Sequence, residues 1–189
     1  MARDHYITPT APVEDSIAVR LGASAADYTT AEVGKFAKLG AESEFDLAAV
    51  GNKIEAVITA VELAPQNAFS IGAVCEEGKI FVTFDGAEAG GAGAIAIGDY
   101  VVCGTAVAKG TALTAFPKVR KATNQPGTAL VSVVGAADTA AAIKTQIDAV
   151  LVKLADAQLN TIYAWRVVSL GTVGTGAVGT TGVIERCSA

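Results

Sequence analysis

Two octapeptides constrain this chain more than any other feature. VGKFAKLG (33–40) and IGDYVVCG (97–104) match in kind at each position: aliphatic, Gly, charged, aromatic, small or aliphatic, variable, apolar, Gly. They begin 64 residues apart. A glycine step followed by short apolar alternation is a turn feeding a strand, so the pair predicts a strand-with-turn unit used twice.

Other segments read as strands around this pair. SIAVRLG (16–22) sets Ile17, Val19 and Leu21 against Ala18 and Arg20, the alternation of a half-buried strand. KIEAVITAVEL (53–63) puts Ile54, Ala56, Ile58 and Ala60 on one side. FSIGAVC (69–75) and KIFVTFD (79–85) flank Glu76-Glu77-Gly78, which reads as a three-residue hairpin link. GAEAGGAG (86–93) offers nothing to pack and reads as a loop, and NQPG (124–127) as a turn. GTALTAFPKVRKA (110–122) reads as strand, with Pro117 confining it to an edge or a bulge, and TIYAWRVVSL (161–170) as a further strand.

One segment breaks the pattern. From Asp138 to Gln158 the apolar residues Ile143, Ile147, Val150, Leu151 and Leu154 form one helical stripe, with Asp138 or Thr139 as N-cap. Burying five such side chains is worth on the order of 7–15 kcal/mol gross, while a lone helix of this length is marginal in water. The helix is therefore expected to dock, on its own sheet or on a neighbour. Residues 1–15, with Pro9 and Pro12 and no periodicity, read as an extended arm able to grip a neighbour.

GTGAVGTTG (174–182) contains Gly174, Gly176 and Gly179 in the G-x-G-x-x-G spacing of a dinucleotide fingerprint. That fingerprint needs a helix immediately after the glycines, with its N–H groups facing the phosphates. Only Thr180 to Ala189 follow, and VIERC is β-branched strand material. A hairpin loop is the expectation, and no Walker G-K-[ST] occurs.

Composition narrows the chemistry. There is a single histidine, His5, which removes most triad and acid–base schemes. The three cysteines, Cys75, Cys103 and Cys187, lack any C-x-x-C spacing and read as buried or interface thiols. A net charge of −5 argues against nucleic acid as a partner, and Lys118, Arg120 and Lys121 read as a solvated strand face. Glu42, Glu44 and Asp46 read as a solvated face ahead of a cation site. Hydrophobic residues make up 51% and charged residues 17%, an excess of apolar surface that subunit interfaces would cover. No apolar run reaches the roughly 18 residues of a membrane span, and the first residues lack a signal-peptide core. Synthesis in the cytoplasm is the corresponding expectation.

The string VGKFAKLG, GNKIEAVITAVE, FSIGAVCEEGKIFVTFDG, IGDYVVCGTAVAKGTAL and WRVVSLGTVGTGAVGTTGVIER resembles the capsid decoration, or cement, proteins of tailed bacteriophages. The match is one of composition and rhythm over Val33 to Arg186. It implies a virion protein on the outer capsid surface that binds the major capsid protein, self-associates as a dimer or trimer, and cements capsomers against internal DNA pressure. It also implies no catalysis, no cofactor or metal, and neither nucleic acid nor membrane as partner. The fold expected is mainly β, a small β-barrel or β-sandwich. It would carry the extended N-terminal arm at 1–15 and one amphipathic helix inserted at about 138–158 in a single domain, 16–189. His5, Tyr6, Ile7, Pro9, Pro12 and Trp165 are the expected partner contacts, with Trp165 a core or interface anchor. A tail-tube or spike component is the alternative. The G-T-T-G ending is also similar to the phosphate-covering arm of trimeric dUTP pyrophosphatases, whose other motifs are missing here.

Overall fold

The computed structural model describes residues 6–7, 17–22, 28–40, 43–62, 70–87, 93–122, 139–145, 147–148, 150–151, 154 and 165–186. The strands are β1 (Tyr6–Ile7), β2 (Ile17–Leu21), β3 (Phe36–Leu39), β4 (Phe45–Leu47), β5 (Ala56–Val61) and β6 (Ser70–Cys75). They continue with β7 (Lys79–Ala87), β8 (Tyr100–Cys103), β9 (Lys118–Lys121), β10 (Trp165–Ser169) and β11 (Thr181–Arg186). A 3-10 turn, Thr30–Glu32, precedes β3.

These strands close two barrels instead of the one barrel or sandwich expected. The first runs β2-β4-β3-β5-β6 and back to β2. The second runs β7-β9-β8-β10-β11 and back to β7, closed by the β7–β9 pairing. Counted from the start of each barrel, the strand order is the same, and each contains one parallel pair, β2–β4 and β7–β9.

The identity extends to register. Ala37 opposes Ala56 as Val101 opposes Trp165. Leu39 opposes Phe45 as Cys103 opposes Val119. A bulge interrupts β5 between Ile58 and Ala60, and its counterpart interrupts β10 between Val167 and Ser169. The N–H of Gly34 donates to Ile58 O at 2.7 Å and that of Gly98 to Val167 O at 2.8 Å. Both glycines have positive φ, 86° and 90°, a turn that L side chains rarely adopt. The two octapeptides are therefore the same strand, β3 and β8, in two copies of one fold.

Each barrel is filled from matching inward positions. Leu21, Ala37, Phe45, Ala56, Ile58 and Val74 fill the first, and Phe84, Val101, Val119, Trp165, Val167 and Ile184 the second. The outer side of the first barrel is apolar as well. Phe36, Ala48, Ile54, Val57 and Cys75 join the second barrel's core cluster, while the first barrel's own interior forms a separate cluster.

Three expectations are corrected. Glu76 to Gly78 is not a hairpin, because β6 pairs with β2 and β5 while β7 pairs with β1, β9 and β11. Both edges of β6 are already occupied within its own barrel, so these three residues become the link between barrels. Arg186 fixes that link by donating to Glu76 O at 2.6 Å. Ala60 does not share the inward side of Ala56 and Ile58, because the bulge turns it out and brings Val61 in, and Ile54 belongs instead to the second barrel's core cluster. Strand in 110–122 is confined to β9, and the chain from Gly104 to Pro117 is a long loop with a different task.

Helical residues occur at 140–145, 147–148, 150–151 and 154, and apart from Thr139 the rest of 138–158 lies outside the described residues. Thr139 caps this segment, its hydroxyl accepting from the Ala142 N–H at 3.3 Å. Of the expected arm, β1 pairs in parallel with Lys79 and Ile80 of β7 in its own chain.

Candidate functional site

A buried polar network spans the junction between barrels. In the first barrel the β3–β4 connection is short, whereas the equivalent β8–β9 loop, 104–117, reaches across and straps the first barrel. Thr29 and Glu32 form a capping box around the 3-10 turn, which aims the Glu32 carboxylate at this loop. That carboxylate is buried. It accepts from the Thr29 N–H at 2.6 Å, the Thr29 hydroxyl at 2.9 Å and the Gly110 N–H at 2.5 Å. Lys35, also buried, stands 3.5 Å from it and donates to Ala108 O at 2.8 Å. Lys109 lies over the Tyr28 ring, 4.1 Å from its centroid.

Burial alone would push the Glu32 carboxyl up. The bonds from Gly110 and Thr29 and the charge on Lys35 outweigh it, and hold the group below its usual 4.5. The sequence signal was present as Thr29-x-x-Glu32, a capping signature, but its second role toward Gly110 depends on the loop's path.

Beside this network lies a cavity of about 100 Å³, lined by Phe36, Leu47, Ala48, Cys103, Leu113 and Phe116 among others. Typical small-molecule sites occupy roughly 300–1,000 Å³, so only a few-atom occupant fits. The Cys103 thiol at its wall faces Ala48 O at 3.5 Å and Gly104 O at 3.6 Å, and burial pushes it up to about 12. A thiol so held is almost fully protonated at neutral pH and is a poor nucleophile.

The other sequence candidates are placed as follows. GTGAVGTTG lies in the connection of the antiparallel pair β10–β11, and β11 follows directly where a dinucleotide site needs a helix. Gly176 O accepts from the Ile95 N–H at 2.9 Å, tying the loop down. The Lys118, Arg120 and Lys121 strand is committed to carboxylates: Lys118 and Arg120 to Asp85 at 3.7 and 3.3 Å, and Lys121 to Asp99 at 2.7 Å. Glu42 lies outside the described residues, Glu44 is buried, and Asp46 accepts from the Tyr28 hydroxyl at 3.3 Å. Among the described residues no group of three His, Cys, Asp or Glu converges as metal ligands.

Trp165 is a core side chain, fully enclosed, so its ring offers no surface to a partner. Tyr6 and Ile7 form β1, whereas His5, Pro9 and Pro12 lie outside the described residues. The helical stripe presents Ile147, Leu151 and Leu154 to solvent. Among the described residues no helix is long and apolar enough to cross a membrane.

The fold and these surfaces define a tandem pair of five-stranded barrels strapped by a loop of the second. No family model matches the chain, and neither the curated proteins nor the solved structures contain a match.

Proposed function

We propose that this chain is a structural subunit that acts by covering surface on other proteins. More specifically, we propose a decoration protein on the outside of a tailed-bacteriophage capsid, binding the major capsid protein and cementing adjacent capsomers. The observation that carries the assembly reading is the uncovered stripe Ile147, Leu151 and Leu154. The sequence requires such a helix to dock; Ile143 and Val150 of the stripe are half-buried, and Ile147, Leu151 and Leu154 remain exposed. The shell assignment itself rests on the compositional resemblance.

Two barrels in tandem suit a staple, because each can contact a different capsomer and many such contacts multiply over a lattice. Residues 1–15 would leave β7 and lie along a capsid subunit by strand addition. The test is electron microscopy and co-sedimentation of the purified protein with expanded empty heads. Saturable density at fixed lattice positions, reduced on deleting residues 1–14, is expected. Density on tails alone, or no binding, rejects the capsid assignment.

A further inference from the structure

The cavity of about 100 Å³ at the junction lies between the strap and the barrels. Leu113 and Phe116 of the strap wall it on one side, and Phe36, Leu47, Ala48 and Cys103 of the barrels on the other. The strap is anchored on both sides of this space. Thr105 donates its N–H to Asp85 at 2.8 Å, Lys35 donates to Ala108 O at 2.8 Å, and Glu32 accepts from the Gly110 N–H at 2.5 Å. Beyond the cavity Phe116 stacks on Phe81, with ring centroids 5.5 Å apart. These anchors keep the strap from settling into the space beneath it. In the first barrel the corresponding connection runs only from 40 to 44, so the cavity is a product of the strap.

The walls set the chemistry of a guest. The polar side chains among them are already committed: Lys35 to Glu32 and Ala108 O, Lys118 to Asp85 at 3.7 Å, and the Thr105 hydroxyl to Asp85. The Cys103 thiol faces Ala48 O and Gly104 O. A polar guest would give up its hydrogen bonds to water and find these groups taken, a loss that an apolar guest does not suffer. Two of the walls are the aromatic side chains Phe36 and Phe116, and the Cys103 sulfur is polarizable, which suits an aromatic ring. An empty apolar space also forfeits packing contacts that a guest returns.

Size limits the guest further. An apolar cavity of about 150 Å³ takes up benzene or xenon, so this one admits a single six-membered ring at most. A way in exists, because the lining residues Ala106, Thr114 and Ala115 are exposed and form a mouth.

We propose that the space under the strap is a binding site for one small apolar molecule, best matched by an aromatic ring of about six heavy atoms. The ring packs against both barrels and the strap at once, so occupancy fastens the strap down. The site lies within one chain and is independent of any assembly partner.

The experiment is titration of the isotope-labelled full chain with benzene, followed by nuclear magnetic resonance, beside pyridine as a polar ring of the same size. Leu113→Trp and the milder Ala48→Val reduce the cavity from the strap and from the first barrel, and circular dichroism checks that each variant folds. Saturable shifts are expected at the amides of Leu47, Cys103 and Leu113. Pyridine is expected to bind about tenfold more weakly or worse, since its nitrogen goes unpaired. Leu113→Trp is expected to abolish the saturable shifts and Ala48→Val to weaken them. Absence of saturation up to the solubility limit of benzene overturns the proposal. So do shifts centred on the exposed Ile147, Leu151 and Leu154 instead of the cavity. Pyridine binding as tightly as benzene, or a folded Leu113→Trp protein binding benzene as the wild type does, overturns it equally.

Discussion

Ala56 and Trp165 occupy the same position in two barrels of one topology, each buried, each opposite the second residue of its partner strand, Ala37 or Val101. One copy fills the site with a methyl group and the other with an indole. The first barrel makes up volume with Phe45 where the second has Val119. The Trp165 Nε1–H finds no acceptor in this enclosure, so shape and apolar contact hold the ring. Trp165→Ala is expected to cost about 3–5 kcal/mol. Trp165→Phe is expected to cost clearly less, since it also removes an orphan donor. Urea titration followed by circular dichroism measures both.

The close approach at Gly72 recurs at Gly182. A Cβ on Gly72 would collide with Leu21 Cδ1, and one on Gly182 with Phe84 Cζ and Ser169 O. Gly72→Ala and Gly182→Ala are each expected to destabilise by about 1–3 kcal/mol through overpacking. Denaturant midpoints that do not move would show that the barrels relax freely at these crossings.

Acid should loosen the strap. The folded Glu32 carboxyl titrates below its usual 4.5, so on acidification the unfolded chain takes up the proton first. The stabilisation is complete above about pH 4.5 and is lost as pH falls through the lower folded value. Asp85 acts in the same sense below its usual 3.8. Burial pushes that carboxyl up, but bonds from Thr105 and the charges of Lys118 and Arg120 outweigh it. Glu32→Gln is expected to flatten the pH dependence of unfolding below pH 4.5 and to cost roughly 3 kcal/mol at neutral pH, by leaving Lys35 buried with a weaker partner.

Cys103 should be chemically silent in the folded protein. With its thiol at about 12, on the order of one molecule in ten thousand carries the thiolate at pH 8. Alkylation followed by mass spectrometry is expected to leave Cys103 unmodified until denaturant is added. Cys75, also buried, is expected to stay unmodified until denaturant gives the reagent access.

What the sequence discloses of this fold depends on where the two copies stayed in step. The octapeptides beginning at Val33 and Ile97 are visible because the turn demands Gly34 and Gly98 in both. Elsewhere, interior pairs exchange size, as with Leu21 and Phe84 or Phe45 and Val119, while each barrel keeps its own filling. The offset between copies also grows from 64 at Phe36 and Tyr100 to 74 at Phe45 and Val119 and 109 at Ile58 and Val167. No fixed period survives that drift. The Glu76 to Gly78 segment has hairpin letters but an inter-barrel role, because letters report local geometry and not which edges are already taken. The helical stripe and the hairpin loop at Gly174 to Gly182 were legible from periodicity and from the missing helix. The strap was not, since Glu32 gains its meaning from a loop far along the chain.

Two connections of the second barrel are extended relative to their counterparts in the first, the strap at 104–117 and the stretch between β9 and β10 that carries the helix. The first copy remains close to a minimal chassis, and the second has absorbed the novelty. Engineers wishing to append a cargo therefore have a natural port between β9 and β10, where the fold already tolerates an insertion without reopening the strand circuit.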